Sequence, residues 1–575
     1  MDLRALPIPG LRSIPGLAPR GPRAVLELDL GHGLRTGPPR HPLEALRARH
    51  APSLRAVGDG LRRAAADDDV LGLLVHVGTC PLPLSVADEV GAMIADFSQD
   101  KPSIAWTATF GELTSGLNGY RLAVNAREIW VQPSGALGLT GVHLGITLLR
   151  GGLEKLGIDP EFGQRHEYKS AADQLAATEV SQANREMVQR MADAIVDDTV
   201  ARVASRRSLD AADVRAAMAR APLSAADALE AGLVDRVGYR DEVYAHARRT
   251  WTPAWEPTYV HRWAQAQQGS ASSRLGALHQ RHRPTVAVVD VTGPIVLGAG
   301  SGSQAGADRI GARLREVGRD DEVKAVVLRV DSPGGSYVAS DAIRREVLRL
   351  RESGRPVVAT MGTAAASGGY FVAMPCDEIV AQPTTLTGSI GVLAGKMVVA
   401  RLLDRVGIVT EAIDAGPRAG FLAPGRPFTD DEWQVLDAWL DEVYADFTTK
   451  AAADRGLDLA VLEPLARGRV WVGVDAHERG LVDHLGGTRL ALERACGLAG
   501  LDPDDVRLPS PSSLEWLQRL RPAESSESPA ARGRRGGGAD GSRGGARATG
   551  RLRRHRRAPR GAVDAARPHL PRLMP

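Results

Sequence analysis

Cysteine, aromatic side chains and long apolar runs are all scarce in this chain. Its 575 residues hold three cysteines, Cys80, Cys376 and Cys496. They lie too far apart for a metal site or a redox pair, so each is read as a small buried hydrophobe. Nothing in them calls for an oxidising compartment, and no metal or cofactor is expected. Aromatics make up 4% of a composition that is otherwise globular. No segment has 18 consecutive apolar residues, the length of a spanning helix. The longest uncharged run, Ile129 to Leu149, contains Pro133, four glycines and His143. Strands and loops fit it better than a membrane helix. The N-terminal extension, residues 1–23, has arginines and prolines but no apolar core of signal-peptide length. Direct anchoring through it is therefore not expected.

What the chain does have is length and an internal repeat. A chain of 575 residues exceeds one hydrophobic core and calls for two domains with additions. Thr109-Phe110-Gly111 through Gly119-Tyr120 and Glu128-Ile129 echoes Thr360-Met361-Gly362 through Gly369-Tyr370 and Glu378-Ile379. Leu156-Gly157-Ile158 echoes Val406-Gly407-Ile408, and Gly232-Leu233-Val234-Asp235 echoes Gly480-Leu481-Val482-Asp483. The offset stays near 250 throughout, which points to two homologous domains, 24–245 and 284–500. Residues 246–283, rich in Gln, Ser, His and Arg, read as a linker with some helix.

Two stretches of the second half suggest chemistry. Val357-Val358-Ala359-Thr360 reads as a buried strand and leads into Thr363-Ala364-Ala365-Ala366-Ser367-Gly368-Gly369-Tyr370. A serine among small residues at a strand-to-helix turn can present its hydroxyl to a substrate. It can equally be a tight turn with a capping serine. Upstream, Val323 to Val330 reads as a second strand, followed by Asp331-Ser332-Pro333-Gly334-Gly335. Ser340 is placed to cap the next helix, with Ile343, Val347 and Leu350 on one face. Paired glycines after a strand expose backbone N–H groups that can bind an oxyanion. Together the two loops describe an acyl-transfer site.

Asp331 to Gly335, Ala366 to Tyr370 and Thr387-Gly388-Ser389-Ile390-Gly391-Val392, in that order, resemble the motifs of the signal peptide peptidase A family. That family comprises serine/lysine peptidases of the ClpP/crotonase superfamily, peptidase family S49. The resemblance is to the long form. It implies an α/β fold of two tandem ClpP/crotonase-like ββα-spiral domains. It also implies a serine nucleophile from the second domain and a lysine base from the first. The nucleophile falls on Ser367 and the base on Lys169, within Glu167-Tyr168-Lys169-Ser170. Ser389 matches a serine that orients the lysine. The N–H groups of Gly334 and Gly368 would hold the oxyanion, and Gly335 would shape the loop. The repeat agrees with this division of labour. At an offset of 250, Leu117 stands opposite Ser367 and Ala419 opposite Lys169. Each half thus lacks what the other carries. Without the resemblance, Lys169 reads as an ordinary solvated lysine and Ser389 as a turn hydroxyl.

The implied function is endoproteolysis of cleaved signal peptides or similar short apolar peptides, in a homo-oligomer that the resemblance makes a tetramer. Two other classes share the fold: a crotonase-like acyl-CoA enzyme and a non-catalytic scaffold. The tail, residues 510–575, is rich in Arg, Gly and Pro and is expected to be disordered. From Arg521 onward it carries 14 Arg against 4 Asp and Glu. That net +10, in a chain whose total is +3, leaves residues 1–520 at −7. Its Arg553-Arg554-His555-Arg556-Arg557 run suits peripheral contact with an anionic membrane surface. A nucleic-acid partner is not expected. The implied location is the cytoplasm or the periphery of the cytoplasmic membrane.

Overall fold

The computed structural model describes residues 23–31, 33–37, 52–252, 255–269 and 283–509. The tail 510–575 and all of the N-terminal extension but its last residue lie outside them. So does part of the expected linker.

Each half is built on a parallel sheet. In the first half the strand order is Arg236–Val237, Glu128–Val131, Ser103–Thr107, Val70–His76, Ala24–Asp29, Glu256–Tyr259. In the second it is Thr285–Thr292, Val323–Ser332, Val357–Ala366, Glu378–Ala381, His484–Leu485. Strands covered on both faces need apolar residues without alternation. The sequences VLGLLVH and VKAVVLRV supply them, with a core cluster on either side of the second sheet. The fold is α/β, with two tandem, related domains, each on its own parallel sheet.

The repeat is kept down to single hydrogen bonds. Tyr120 Oη donates to Leu233 O at 2.6 Å, and Tyr370 Oη to Leu481 O at 3.0 Å. The Ile129 and Ile379 N–H groups each donate to a carboxylate, Asp235 and Asp483, at 2.7 Å. The 26-residue helices Gln182–Arg207 and Asp430–Arg455 correspond, and Arg207 and Arg455 at their ends grip those same aspartates.

Two local expectations change. Glu256–Tyr259 adds an edge strand beside Ala24–Asp29, and the helix Val260–Gly269 packs on Leu54–Ala65 with Val260 fully buried. The first domain therefore continues past residue 245, through a segment whose polar composition suggests only a linker. The helix Tyr337–Glu352 is capped by Ser336, not Ser340. Ser336 Oγ accepts from the Ala339 N–H at 3.3 Å, while Ser340 is buried one turn in and donates to Ser336 O at 2.9 Å. Ile343, Val347 and Leu350 do share the buried face.

The halves are joined at several places, and two of them bear on the site. Asp159–Gln164 of the first half pairs antiparallel with Leu393–Val398 of the second, from Asp159 opposite Val398 to Gln164 opposite Leu393. Deeper in, the fully buried Arg121 makes a two-pronged ion pair with Asp88 at 2.8 and 3.0 Å. Asp88 also accepts from Thr384 Oγ1 of the second half at 3.0 Å. A buried charge pair is tolerated when its remaining hydrogen-bonding capacity is met, and Thr199 Oγ1 and Asp198 complete this one.

Candidate active site

The strand Val357–Ala366 ends at Ser367. The Ser367 N–H donates to Gly388 O at 2.8 Å, and the residue takes φ +55° and ψ −119°. A side-chain-bearing residue held there costs about 1–3 kcal/mol, which the surrounding contacts must supply. The helix Gly368–Ala373 follows directly. Ser367 is thus the half-buried corner of a strand–turn–helix; it stands at the N-cap position, but its side chain makes no capping bond.

Lys169 arrives from the other half. The Asp159–Gln164 strand, paired to Leu393–Val398, carries the chain across the join, and the loop after it inserts Lys169 beside Ser367. Lys169 Nζ lies 3.0 Å from Ser367 Oγ, 3.0 Å from Ser389 Oγ and 2.8 Å from Ser389 O. The residue is 5% exposed, so it is not a solvated surface lysine. Burial disfavours the ammonium and brings its pKa down to about 7, with no carboxylate opposing the shift. Ser389 is no ordinary turn hydroxyl either. It takes φ +51°, its N–H is fixed by Arg469 O at 2.7 Å, and both of its oxygens face the lysine.

The paired glycines adopt φ +101° at Gly334 and +152° at Gly335. A Cβ at Gly334 would stand 2.7 Å from Gly368 N and 2.8 Å from Ser367 Cβ, so only glycine fits. The expectation for this loop needs one correction. The Gly334 N–H donates to Ser332 Oγ at 3.1 Å, and Ser332 Oγ is itself fixed by Gly293 O at 2.7 Å. That donor is already used inside the loop. Among the described residues the Gly335 and Gly368 N–H groups have no partner. They lie side by side, with Gly335 N 3.2 Å from where a Cβ on Gly368 would be. The N–H that stays free in this loop is therefore that of Gly335 and not, as expected, that of Gly334.

Two features escape a reading of motifs. One is the loop Arg467–Arg469. Its Gly468, at φ +80°, packs so tightly that an added Cβ would lie 2.5 Å from both N and Cβ of Lys169. The Tyr168 N–H donates to Arg467 O at 3.2 Å, and the Arg469 guanidinium stacks between the rings of Tyr168 and Trp471. The other is a cavity of about 470 Å³ beside Ser367, walled by Tyr337, Phe371, Val392, Val443 and Phe447. In the sequence, Val443 and Phe447 only mark a buried helix face. Nothing local to them signals a site formed by residues 76 and 80 positions beyond the serine.

The family described as peptidase family S49 matches residues 95–251 and 349–502. The chloroplastic serine protease SPPA of Arabidopsis thaliana is 30% identical over 481 residues, covering 82% of this chain and 68% of its own. Protease 4 of Salmonella typhi is 28% identical over 78% of this chain and 72% of its own. Protease 4 of Haemophilus influenzae is 27% identical over 83% and 78%. Among solved structures, a ClpP1 mutant from Listeria monocytogenes aligns with 38% of this chain and 98% of its own. Its identity is 13% and its TM-score 0.25.

Proposed function

Because this chain belongs to peptidase family S49 and is a peptidase, we propose that it is a serine endopeptidase working through a Ser367–Lys169 dyad. The observation that carries the reading is the contact itself: a buried lysine amine 3.0 Å from a serine hydroxyl, with its pKa near 7. A serine hydroxyl is a poor nucleophile until a base takes its proton. The neutral amine of Lys169 removes that proton as Ser367 Oγ attacks the scissile carbonyl. The resulting oxyanion is met by the Gly335 and Gly368 N–H groups. The ammonium then protonates the departing amine, leaving an ester on Ser367. Water, deprotonated in turn by Lys169, hydrolyses it. Ser389 keeps the amine aimed at Ser367 throughout.

The substrate class follows from the cavity. Apart from Lys169 and the hydroxyls of Ser336, Ser340, Ser367 and Ser389, its walls are apolar or aromatic. Lys450, nearby, is neutralised by Asp341 and Asp446. An aliphatic side chain before the scissile bond suits such a cavity and a charged one does not. Cleaved signal peptides have apolar cores and small-residue ends, and we take them, or similar short apolar peptides, as the substrates. They arise at the cytoplasmic membrane, so the enzyme is placed in the cytoplasm or at that membrane's periphery. No described helix is long and apolar enough to cross a membrane.

The test is digestion of signal-peptide fragments, and of fluorogenic amides bearing Leu, Ala, Arg or Glu, by the wild type and by Ser367→Ala. Leu and Ala substrates should be cut at least about tenfold faster than Arg or Glu, and Ser367→Ala should cut none. Undiminished cleavage by Ser367→Ala would remove the dyad.

A further inference from the structure

Lys169 sits on no helix or strand. It lies in the run of turns and bends between the Asp159–Gln164 strand and the helix Asp173–Ala176. A flexible side chain on a loop needs support if its amine is to stay on one hydroxyl. Arg469 reaches both sides of that contact. By its main chain it holds the serine side. Arg469 O fixes the Ser389 N–H at 2.7 Å, and the next residue, Val470, stands opposite Gly388, whose carbonyl accepts from the Ser367 N–H at 2.8 Å. By its side chain it holds the lysine side. The guanidinium carbon lies 4.7 Å from the ring centre of Tyr168 and 4.5 Å from that of Trp471, and Nη2 is 3.0 Å from Glu186 Oε1. Tyr168 Oη donates to the same carboxylate at 3.3 Å. Tyr168 immediately precedes Lys169, so this stack sets where the loop stands.

The repeat supplies a control within the same molecule. The strand pair Leu386–Gly388 with Val470–Val472 recurs in the first half as Ala136–Leu137 with Leu223–Ser224. Thr387 stands opposite Trp471 in one and Leu137 opposite Leu223 in the other. That register puts Ala221 at the position of Arg469 and Leu223 at that of Trp471. The two 26-residue helices put Gln434 at the position of Glu186, and the offset of 250 puts Arg418 at that of Tyr168. None of the four residues is kept. The bonds that serve the fold, from Tyr120 and Tyr370 and to Asp235 and Asp483, are kept in both halves. The stack and its Glu186 partner thus occur where Ser367 and Lys169 stand, and not where Leu117 and Ala419 replace them. A stack that served the fold alone would recur in both.

We propose that Arg469 is a positioning residue for the base: it clamps the Tyr168-Lys169 loop of the first half to the Ser389 turn of the second, and so keeps the Lys169 amine on Ser367. The inference rests on the dyad proposed above. Arg469 lies outside the wall of the cavity, so it bears on the proton transfer and not on the binding of substrate. A flat cation suits this place, because it stacks on two rings and still presents N–H groups to a carboxylate at its edge.

The test is kcat, KM and a rate–pH profile on a fluorogenic Leu amide for the wild type, Arg469→Met, Arg469→Lys and Tyr168→Leu. Methionine keeps an apolar stem but gives up the Glu186 pair and the cation between the rings. In Arg469→Met kcat should fall about 10- to 100-fold, the loss that goes with a misplacement of about 1 Å, with KM within about twofold of wild type. The amine, no longer held away from water, should titrate higher, so the midpoint of the profile should rise by about one pH unit or more. Tyr168→Leu should do the same from the other side of the stack. The double variant should lose no more than the worse single one, because both remove one contact. Arg469→Lys, which keeps the ion pair and loses the stack, should fall between Arg469→Met and wild type. Unchanged kinetics in Arg469→Met would overturn the clamp. So would a loss of kcat with the midpoint unmoved, or a KM raised as much as kcat falls. A wild type with no midpoint near pH 7, or an active Ser367→Ala, would remove the dyad and the clamp with it.

Discussion

In the proposed mechanism the Lys169 amine is where one residue's environment sets the behaviour of the whole enzyme. Burial holds its pKa near 7, and the neutral form is the one that accepts a proton. Activity on a neutral peptide should therefore rise with pH and reach half its plateau near pH 7. A rate–pH profile checks this, and a profile flat between pH 6 and 8 would contradict it. Lys169→Arg should lose turnover by about 10³-fold or more, because a guanidinium does not release its proton in this range. The same burial has a stability consequence of definite sign. Between about pH 7 and 10.5 the unfolded chain binds a proton at this lysine that the folded protein does not. Wild-type stability therefore rises with pH across that window. Lys169→Met removes the effect. It should melt higher than wild type at pH 6–7, with the gap closing toward pH 10, as read by thermal melts across a pH series.

At the scale of elements, the site is held by loops that pack against each other and not by any single strand. Arg467–Arg469 presses on the backbone of Lys169, and Gly468 has no room for a methyl group. Gly468→Ala should displace the amine by a fraction of an ångström to an ångström. A displacement of that size costs about 10²-fold in rate, while the two sheets, which the loop does not join, should keep their circular-dichroism spectrum. A kcat near wild type would show that the loop tolerates the shift. The helix Asp430–Arg455 contributes differently, through Val443 and Phe447 in the cavity wall. Phe447→Ala enlarges the cavity. It should move preference from Leu toward Phe in an amide series and cost about 3–5 kcal/mol of stability, because the ring is also core.

Under the proposed dyad the whole molecule depends on its two halves staying together, since neither brings both Ser367 and Lys169. Asp88 is the hinge of that dependence. It is fully buried, neutralises Arg121 and accepts from Thr384 across the join. Asp88→Ala leaves a buried guanidinium with less than its full complement of partners and should destabilise the protein by about 3–5 kcal/mol. Calorimetry should show the wild type melting in one transition and Asp88→Ala separating into two, with peptidase activity lost at the first. A single, unshifted transition would mean that the remaining contacts, among them the strand pairing and the Arg190–Asp475 ion pair, suffice to hold the halves.

How much of this was legible beforehand depends on the range of the interaction involved. The strands before Ser367 and Gly334, the doubled domain, and the complementary losses at Leu117 and Ala419 follow from the sequence alone, because periodicity, glycine pairs and repeats are local or self-referential signals. The polar stretch after residue 245 misleads for the converse reason. An edge strand needs only one covered face, so Glu256–Tyr259 carries no apolar run to announce it. Tertiary structure alone decided which glycine amide stays free, because Ser332 Oγ reaches the Gly334 N–H only once the loop folds back on Gly293. It alone decided that Gly468 abuts a lysine 299 positions earlier in the chain. It also decided the pKa of that lysine, since a depressed value comes from the exclusion of water at the join between two domains, and no residue beside Lys169 in the sequence encodes that.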